Sequence, residues 1–351
     1  MSVQVGIGIL TANARQGGLG GNRANFARLI RAAANAKQDC FVYAIEPDGQ
    51  VSVYRRDHQQ RTFVRTEAAL PSVLYNRIPT RRLEHSQAVK ERMNTFRTEG
   101  VVITNPRFLQ KDEVLDLWQQ SSALCTFVPT AAPLTYPLQV ASFLDEHRTV
   151  YVKPVDGMAG LGIMQLRQGD DGVVMRLQRP GRAPKGRRMT RAQAVRFVWG
   201  KAAGTRYVLQ AGADVAKYDG RRFDFRLLAH AHEDEQMHIT GYGIRVGPVG
   251  GVTTHVPNGG QVLAPDTVLQ HVFGTRANQV RDHVLEVATM AANRVAALPG
   301  VWSECSLDIG VTRDGRACLF EANAKPMKFD EPAIERAAKR QVVARLLGLG
   351  Q

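Results

Sequence analysis

Three side chains that could bind a metal ion through oxygen atoms lie close together in the sequence, between residues 308 and 323. Short apolar runs flank the dipeptide Asp314-Gly315. An Asp-Gly pair between apolar runs predicts a β-hairpin with a type I′ turn, in which both central residues have positive φ. Counting outward from such a turn places Asp308 directly opposite Glu321, and strand alternation puts Asn323 on the same face. The sequence therefore predicts one cluster of oxygen ligands on this hairpin.

Such a cluster is typical of a magnesium site. Two carboxylates that face each other across a β-ladder repel, and a cation relieves the repulsion. Carboxylate and carboxamide oxygens suit Mg²⁺, or Mn²⁺ in its place, and phosphate oxygens commonly complete the coordination. A polar hairpin face open to solvent is the alternative. The metal site is favoured because the strand ends in Asn323-Ala324-Lys325-Pro326, where Lys325 could reach a phosphate or an acyl group.

A second element suited to phosphate spans residues 150–164, VYVKPVDGMAGLGIM. Its pattern predicts a strand that carries Lys153, a glycine-rich turn over residues 156–162 and a second strand. Backbone N–H groups of such a turn can close on phosphate oxygens, and the lysine adds a positive charge. Neither a P-loop nor a Rossmann turn is predicted, because a strand follows the turn instead of a helix. A hairpin flap over phosphates remains, with a tight hairpin without ligand as the alternative.

Two arginines are predicted on one face of a further strand pair. Asp224 and Arg226 are two apart in RRFDFRLLA and share a face, and Arg245 lies in the next strand, YGIRV. Guanidinium groups from neighbouring strands suit a triphosphate or an acyl phosphate, although a single arginine is more often a surface ion-pair residue.

Candidate substrate contacts come from two loops. Asn76, Arg77 and Glu84 follow a short strand, where an open α/β lobe presents ligand groups beyond the carboxyl ends of its strands. A surface turn with a local ion pair is the alternative. Asn258 and Gly259 lie in a second loop, whose amide side chain could contact a substrate.

The periodicities predict an α/β (α+β) protein of more than one lobe, as expected for 351 residues. Alternating strands and helices over residues 1–105 predict an open α/β lobe. We expect a second domain over residues 106–351, with a mobile flap lobe at about 148–212 and a C-terminal lobe at about 213–340.

Composition excludes several classes of protein. The chain is 44% hydrophobic and 22% charged, no apolar run approaches 18 residues, and the N-terminus has no basic leader. The four cysteines show neither CxxC spacing nor a nearby histidine pair, which argues against a zinc site or a disulfide framework. We therefore expect a cytoplasmic protein without membrane insertion.

The formal net charge of +14 is concentrated in residues 176–191, RLQRPGRAPKGRRMTR. Nucleic-acid binding is one interpretation of this segment. It lacks aromatic side chains and any recognised binding module, so we favour a solvated, mobile basic loop over an anionic ligand. The excess charge also favours an acidic or polyanionic acceptor substrate.

The order of the elements resembles the ATP-grasp superfamily: Lys111, then Lys153 with its flap, then a hinge at Gln210, then a D-x(12)-E-x-N hairpin. Within that superfamily the chain is similar to the YheC/YheD family of endospore coat-associated proteins. The matching motifs are YNRIP at 75–79 with Glu84, VKPVDG at 152–157, DFR at 224–226, RVG at 245–247, NGG at 258–260 and EANAKP at 321–326. The resemblance implies an ATP-grasp fold with an N-terminal α/β lobe and an ATP site between two lobes. It also implies a link to spores.

The resemblance also implies a role for each candidate residue. ATP would be bound by two lysines, the flap glycines and the hinge: Lys111, Lys153, Gly157, Gly160, Gly162, Gln210, Ala211 and Gly212. Mg²⁺ would be bound by Asp308, Glu321 and Asn323. The transferring phosphoryl group would be held by Arg226, Arg245 and Lys153. Substrates would meet Asn76, Arg77, Glu84, Asn258, Gly259 and Lys325. The hinge lacks the acidic residue that many relatives use for the ribose.

These roles predict an ATP- and Mg²⁺-dependent carboxylate–amine or carboxylate–thiol ligase. A substrate carboxylate would attack the γ-phosphate, and an amine would then attack the acyl phosphate. No protein nucleophile is needed, in agreement with the absence of a Ser/His/Asp or Cys/His pattern. The alternative is a non-catalytic nucleotide-binding or structural spore-coat component, but a protein that had lost catalysis would be expected to lose its metal ligands.

Overall fold

The computed structural model describes residues 3–57, 59–157, 160–181 and 183–350. Within them, three six-stranded sheets follow one another along the chain. No helix of the described part combines the length and the apolar character that crossing a bilayer requires. All four cysteines are free thiols, as expected, and only that of Cys125 is exposed.

The first sheet is mostly parallel and forms the N-terminal lobe. Its strands are β1 (Val3–Ala12), β2 (Cys40–Ile45), β3 (Val51–Arg56), β4 (Phe63–Thr66), β5 (Leu70–Asn76) and β6 (Val102–Thr104), in the order β4-β3-β2-β1-β5-β6. Its helices are α1 (Arg23–Asn35), α2 (Arg81–Glu84) and α3 (Gln87–Thr98). The Asn22 side chain caps α1 by accepting from the Asn25 amide, and Phe26 and Leu29 are buried as the helical spacing predicts.

The second sheet is antiparallel and carries the flap. After α4 (Lys111–Gln119) come β7 (Ala131–Pro133), α5 (Gln139–Glu146), β8 (Thr149–Pro154), β9 (Met164–Gly169), β10 (Gly172–Leu177), β11 (Arg187–Met189), α6 (Arg191–Ala202) and β12 (Tyr207–Ala211), with strand order β11-β10-β9-β8-β12-β7. Helices α5 and α6 cover one face, where apolar side chains such as Val150, Leu166 and Met175 are buried. The opposite face carries Tyr151, Lys153 and their cross-strand neighbours.

The basic segment differs in part from the mobile loop that the sequence predicted. Its described residues supply the end of β10, the edge strand β11 and the start of α6. A capping box between Thr190 and Gln193 fixes the beginning of that helix. Arg176, Arg187 and Arg188 therefore lie on strands of defined register and Arg191 begins α6, whereas residues 183–186 belong to the loop that leads to β11.

The third sheet is antiparallel and holds the predicted metal hairpin. Its elements are β13 (Lys217–Tyr218), β14 (Arg221–Ala231), β15 (Met237–Val246), β16 (Gln261–Leu263), α7 (Pro265–Phe273), α8 (Ala277–Ala296), β17 (Glu304–Val311) and β18 (Ala317–Asn323), with strand order β16-β15-β14-β17-β18 and β13 beside β14. The apolar stripe of α8 packs on this sheet.

The last helix, α9 (Pro332–Leu349), returns to the N-terminal lobe. Its Val342 and Leu346 share a buried core with Ile9 and Val73 of the first sheet. The two ends of the chain are thus packed together, and the predicted boundary at residue 105 stays a prediction.

The turn between β17 and β18 is not the predicted type I′ turn. The loop has three residues, because the amide of Thr312 donates to the carbonyl of Arg316. Gly315 has a φ of 93°, whereas Asp314 does not have the positive φ that a type I′ turn requires. The longer loop shifts the register of the first pairs by one residue.

A β-bulge at Phe320 restores the predicted register. Ile309 pairs with Leu319, but Asp308 pairs with Glu321, so Phe320 is the extra residue. The two one-residue departures cancel. The predicted pairing of Asp308 with Glu321 is therefore confirmed, although the turn that led to it was wrong.

Candidate active site

Asp308 lies between two arginines of the neighbouring strands. Its Oδ1 accepts from Arg226 Nη1 at 3.2 Å, and its Oδ2 lies 3.0 Å from Arg245 Nη2. Register explains both contacts, because Asp308 is opposite Arg226 and Asp224 is opposite Arg245. Burial alone would raise the pKa of Asp308, but Arg245 and Arg226 hold that pKa well below its usual value. The carboxylate is therefore charged throughout the physiological range.

Glu321 is paired with the first predicted lysine. Lys111, the first residue of α4, donates from Nζ to Glu321 Oε1 at 2.9 Å and to the carbonyl of Gly157 at 3.1 Å. Burial favours the neutral acid, but Lys111 lowers the pKa of Glu321, while the Asp308 charge raises it. This pair joins α4, the flap and the metal hairpin.

Lys153 extends from the flap over the same cluster. Its Nζ donates to Gln210 Oε1 and lies 5.6 Å from the centre of the Phe320 ring. Burial, with a contribution from Lys111, lowers the pKa of Lys153 to about 8, although Glu321 and Asp308 oppose the shift. A buried ammonium with its pKa this close to neutrality is typical of a site that expects an anion.

Two cavities meet at this cluster. The first, of about 100 Å³ and here called the nucleotide cavity, lies between the flap and the third sheet and is lined by Tyr151, Lys153, Gln210, Arg222, Asp308 and Phe320, among others. The second, of about 170 Å³ and here called the substrate cavity, is lined by Arg81, Arg226, Arg245, Lys325, Asp330 and Glu331, among others. Glu321 and His255 line both, so the Glu321 carboxylate stands at their junction.

The residues at the junction fit a hard cation. Glu321 Oε2 and the side chain of Asn323 accept no hydrogen bond from any described residue, and Asn323 lines the substrate cavity. No group of three or more His, Cys, Asp or Glu side chains among the described residues could hold a metal. The candidate set is instead two carboxylates and a carboxamide, which are oxygen donors that Mg²⁺ accepts.

The predicted hinge is held within its sheet. The amides of Ala211 and Gly212 donate to the carbonyls of Thr130 and Thr149, both at 2.7 Å. Gln210 is buried, and its Nε2 has no hydrogen-bond partner among the described residues. An unsatisfied buried donor beside the nucleotide cavity suggests that a ligand atom belongs there.

The backbone conformation of the flap and its close packing require glycine at two positions. Gly160 and Gly162 have positive φ, and a Cβ on Gly160 would lie 2.8 Å from Thr253. Gly157 lines the substrate cavity. Residues 158 and 159 of the predicted turn lie outside the described residues.

Asn76, Glu84 and Lys325 form one buried group between the N-terminal lobe and the third sheet. Lys325 Nζ donates to Asn76 Oδ1 at 2.9 Å and to Glu84 Oε1 at 2.5 Å, and Asn76 Nδ2 donates to Glu84 at 3.1 Å. Glu84 Oε2 also accepts from the amide of Phe108. Burial lowers the pKa of Lys325 to about 8, against the effect of Glu84. The alternative of a surface turn with a local ion pair is wrong, because Asn76 and Glu84 are buried.

Arg77 belongs to a second buried group at the same lobe interface. Arg77 Nη1 lies 3.1 Å from Glu304 Oε1, which also accepts from the Tyr75 hydroxyl. His230 Nε2 lies 3.4 Å from the other carboxylate oxygen. Burial alone would raise the pKa of Glu304, but His230 and Arg77 hold it at about 2. Arg77 therefore faces a carboxylate of the protein, and its role toward a substrate stays a prediction.

Asn258 and Gly259 shape the loop beside the substrate cavity. Asn258 is buried and donates to Thr253 Oγ1 at 3.3 Å, and Gly259 has the left-handed φ of 91°. Their neighbours His255 and Pro257 line the cavity. A direct contact of Asn258 with substrate likewise stays a prediction.

Sequence analysis missed His255 and Arg81. Arg245 Nη1 lies 3.4 Å from His255 Nδ1, and burial, followed by Arg245, lowers the His255 pKa against the effect of Asp308. Arg81 reaches the substrate cavity, 3.7 Å from Asp156 of the flap. No local pattern distinguishes either residue, since Arg81 begins the short helix α2, His255 lies in a loop, and only the fold brings both to the site.

A family model described as YheC/D-like ATP-grasp matches residues 100–349. The chain belongs to the YheC/D-like ATP-grasp family. Two curated members, both from Bacillus subtilis strain 168, are similar over most of the chain. Endospore coat-associated protein YheD is 24% identical over 88% of this chain and 69% of its own, and endospore coat-associated protein YheC is 23% identical over 86% and 83%.

Solved structures agree with an ATP-grasp fold for this family member. The D-alanine–D-alanine ligase from Coxiella burnetii matches with a TM-score of 0.57 and 10% identity, covering 98% of this chain and 95% of that one. D-cycloserine synthetase DcsG matches with a TM-score of 0.55 and 17% identity, covering 97% and 100%. At these identities the likeness shows the fold alone, which is the ATP-grasp fold of ligases predicted from the sequence.

Proposed function

We propose that the protein is an ATP- and magnesium-dependent ligase that joins a carboxylate to an amine or a thiol through an acyl phosphate. One observation carries the proposal. The nucleotide cavity and the substrate cavity meet at Glu321, within a ring of cations that face buried carboxylates. This arrangement can hold a γ-phosphate next to a second reactant.

The nucleotide end would use the flap and the hinge. Lys111 and Lys153 would turn from Glu321 and Gln210 to the phosphates, which are stronger acceptors in this buried setting. The unsatisfied Gln210 amide is a candidate contact for the base or ribose. The flap glycines would bring backbone N–H groups to the phosphates.

The metal would be held by Asp308, Glu321 and Asn323. When bound, Mg²⁺ neutralises charge on the phosphate oxygens and orients them for in-line transfer. Arg226 and Arg245 would then hold the transferring phosphoryl group. Arg245 keeps Asp224 as a second partner, at 2.8 and 3.0 Å, so it remains positioned if Asp308 turns away.

The substrate end has both signs of charge. Arg81, Arg226 and Lys325 can receive a carboxylate, whereas Asp330 and Glu331, which also line the cavity, can receive a cationic group. Glu331 forms no ion pair with another described residue. Asn76 and Glu84 would act by fixing Lys325. No protein nucleophile is required, because the substrate carboxylate itself attacks the phosphate.

Calorimetric titration with ATP and a non-hydrolysable analogue, with and without Mg²⁺, tests the proposal. We expect saturable binding that Mg²⁺ strengthens and that Asp308→Asn and Glu321→Gln each weaken at least tenfold. ADP release is then screened against carboxylate and amine mixtures. Failure of the folded protein to bind Mg-ATP would contradict the ligase proposal.

A non-catalytic role in the spore is the second candidate. It is supported by the curated relatives, which are described as endospore coat-associated. In that case Asp308 would remain locked to its two arginines, and Mg-ATP would bind without any pair of substrates releasing ADP. A cytoplasmic location would accompany the first candidate function, and association with the spore would accompany the second.

A further inference from the structure

A row of polar side chains crosses the flap sheet outward from the nucleotide cavity. Gln210, Tyr151, Gln165 and Arg176 are directly opposed on β12, β8, β9 and β10, and opposed residues share a face. Gln165 Nε2 donates to Tyr151 Oη at 2.8 Å, and Arg176 Nη1 donates to Gln165 Oε1 at 3.4 Å. Tyr151 and Gln210 line the nucleotide cavity, so Arg176 continues the wall of that cavity outward.

A second row lies parallel to the first and farther out. Arg167, Val174 and Arg188 are directly opposed on β9, β10 and β11. They stand two residues from Gln165 and Arg176 and therefore point to the same face. Arg167 and Arg188 are exposed. Strand spacing places them about 10 Å apart with Val174 between them.

The three arginines, Arg167, Arg176 and Arg188, define what we call the arginine face. Strands β8 to β11 contain no aspartate or glutamate. None of the three arginines forms an ion pair with another described residue, whereas the nearby Arg191 and Arg206 do. The face is thus a patch of unpaired positive charge outside both cavities, on the side of the sheet that α5 and α6 leave uncovered.

We propose that the arginine face binds an acidic polypeptide segment. Guanidinium groups pair with carboxylates in a bidentate manner, and an extended chain repeats its side chains on one face about every 7 Å. Val174 gives the centre of the face an apolar position, which suits a chain that mixes acidic and apolar side chains. Tyr151, the aromatic residue of the inner row, is covered by Arg222, so the described strands offer no exposed ring on this side on which a nucleic-acid base could stack.

Fluorescence anisotropy tests this assignment with a labelled ten-residue peptide that alternates glutamate and alanine. The face variant is Arg167→Ser/Arg176→Ser/Arg188→Ser. The matched control, Arg187→Ser/Arg196→Ser/Lys201→Ser, removes the same charge from exposed positions away from the face. We expect saturable binding to the unchanged protein, at least tenfold weaker binding to the face variant, and a change below twofold in the control.

Equal losses in the two triple variants, or no loss in the face variant, would overturn the proposal. A labelled ten-nucleotide oligothymidylate that binds more tightly than the peptide at the same salt concentration would also overturn it and assign the face to nucleic acid. If the triple variant does not fold, the single variants Arg188→Ser and Arg187→Ser are compared instead. We expect a loss of peptide affinity of at least threefold for Arg188→Ser only. Mg-ATP affinity of Arg167→Ser/Arg188→Ser, which leaves Arg176 and its contact with Gln165 in place, should stay within twofold of the unchanged protein, and this separates the surface from the proposed active site.

Discussion

Two groups of buried charge differ in what they leave unsatisfied. At the lobe interface, Glu304 Oε1 accepts from Tyr75 and Arg77, and Glu304 Oε2 lies 3.4 Å from His230 Nε2. At the cavity junction, Glu321 has one partner, Lys111, and one oxygen without any among the described residues. The first group surrounds its carboxylate with side chains of the protein. The second leaves a carboxylate oxygen that can receive a group entering the cavities.

The same chemical change at the two glutamates should therefore reduce the stability of the fold by different amounts. Glu304→Gln leaves Arg77 buried without its carboxylate, and breaking such a pair typically costs about 3–5 kcal/mol of the free energy of unfolding. Glu321→Gln also removes repulsion with Asp308, so we expect a loss of about 1 kcal/mol or less. Urea denaturation of both variants measures the difference. Equal losses would show that the two groups are alike, contrary to this comparison.

Protonation of Glu304 in acid should destabilise the fold as Glu304→Gln does. The pKa of Glu304 is about 2 in the folded protein against an ordinary value of 4.5. A lowered carboxyl pKa contributes stability above pH 4.5, and that contribution is lost as the pH falls toward 2, by about 3 kcal/mol at 1.36 kcal/mol per unit. The gap in unfolding free energy between the unchanged protein and Glu304→Gln should therefore narrow over this range. A constant gap from pH 6 to pH 2.5 would contradict it.

At the cavity junction, ATP binding should instead weaken in alkali, because Lys153 loses its charge. Burial lowers the pKa of Lys153 to about 8, so the ammonium that would meet a phosphate is lost as the pH rises above that value. ATP affinity should be about tenfold lower at pH 9 than at pH 7, because one proton is required for binding. Calorimetry at the two pH values measures this. Lys153→Met should bind ATP weakly at both, and an equally steep fall in that variant would assign the pH dependence to another group.

The sequence predicted the parts of both groups that depend on local pattern. Alternation in RRFDFRLLA correctly placed Asp224 and Arg226 on one face. It did not predict that Glu84 and Lys325 meet, because they are 241 residues apart and lie on different lobes. Nor did it predict Glu304 as a buried anchor, since a lone glutamate at the start of a strand has no distinctive pattern.

The hairpin shows how a correct result can rest on a wrong step. A type I′ turn and a regular ladder give the same pairing of Asp308 with Glu321 as a three-residue loop and a bulge. The difference is the extra residue, Phe320. In a regular ladder its ring would have a different place, whereas the bulge brings it to the wall of the nucleotide cavity, beneath Lys153. No residue pattern in the strand announces such a bulge.

The smallest effect that we predict tests whether this bulge matters. Phe320→Leu should keep the fold and weaken ATP binding about two- to fivefold, because a cation near an aromatic face contributes about 0.5–1 kcal/mol. Gly310→Ala is the matched variant: its Cβ would lie 2.5 Å from the Phe320 ring, so the ring must move while its chemistry is kept. Calorimetry with Mg-ATP should give a loss of similar size for both. A loss in Phe320→Leu alone would assign the effect to the nature of the ring rather than to the position that the bulge gives it.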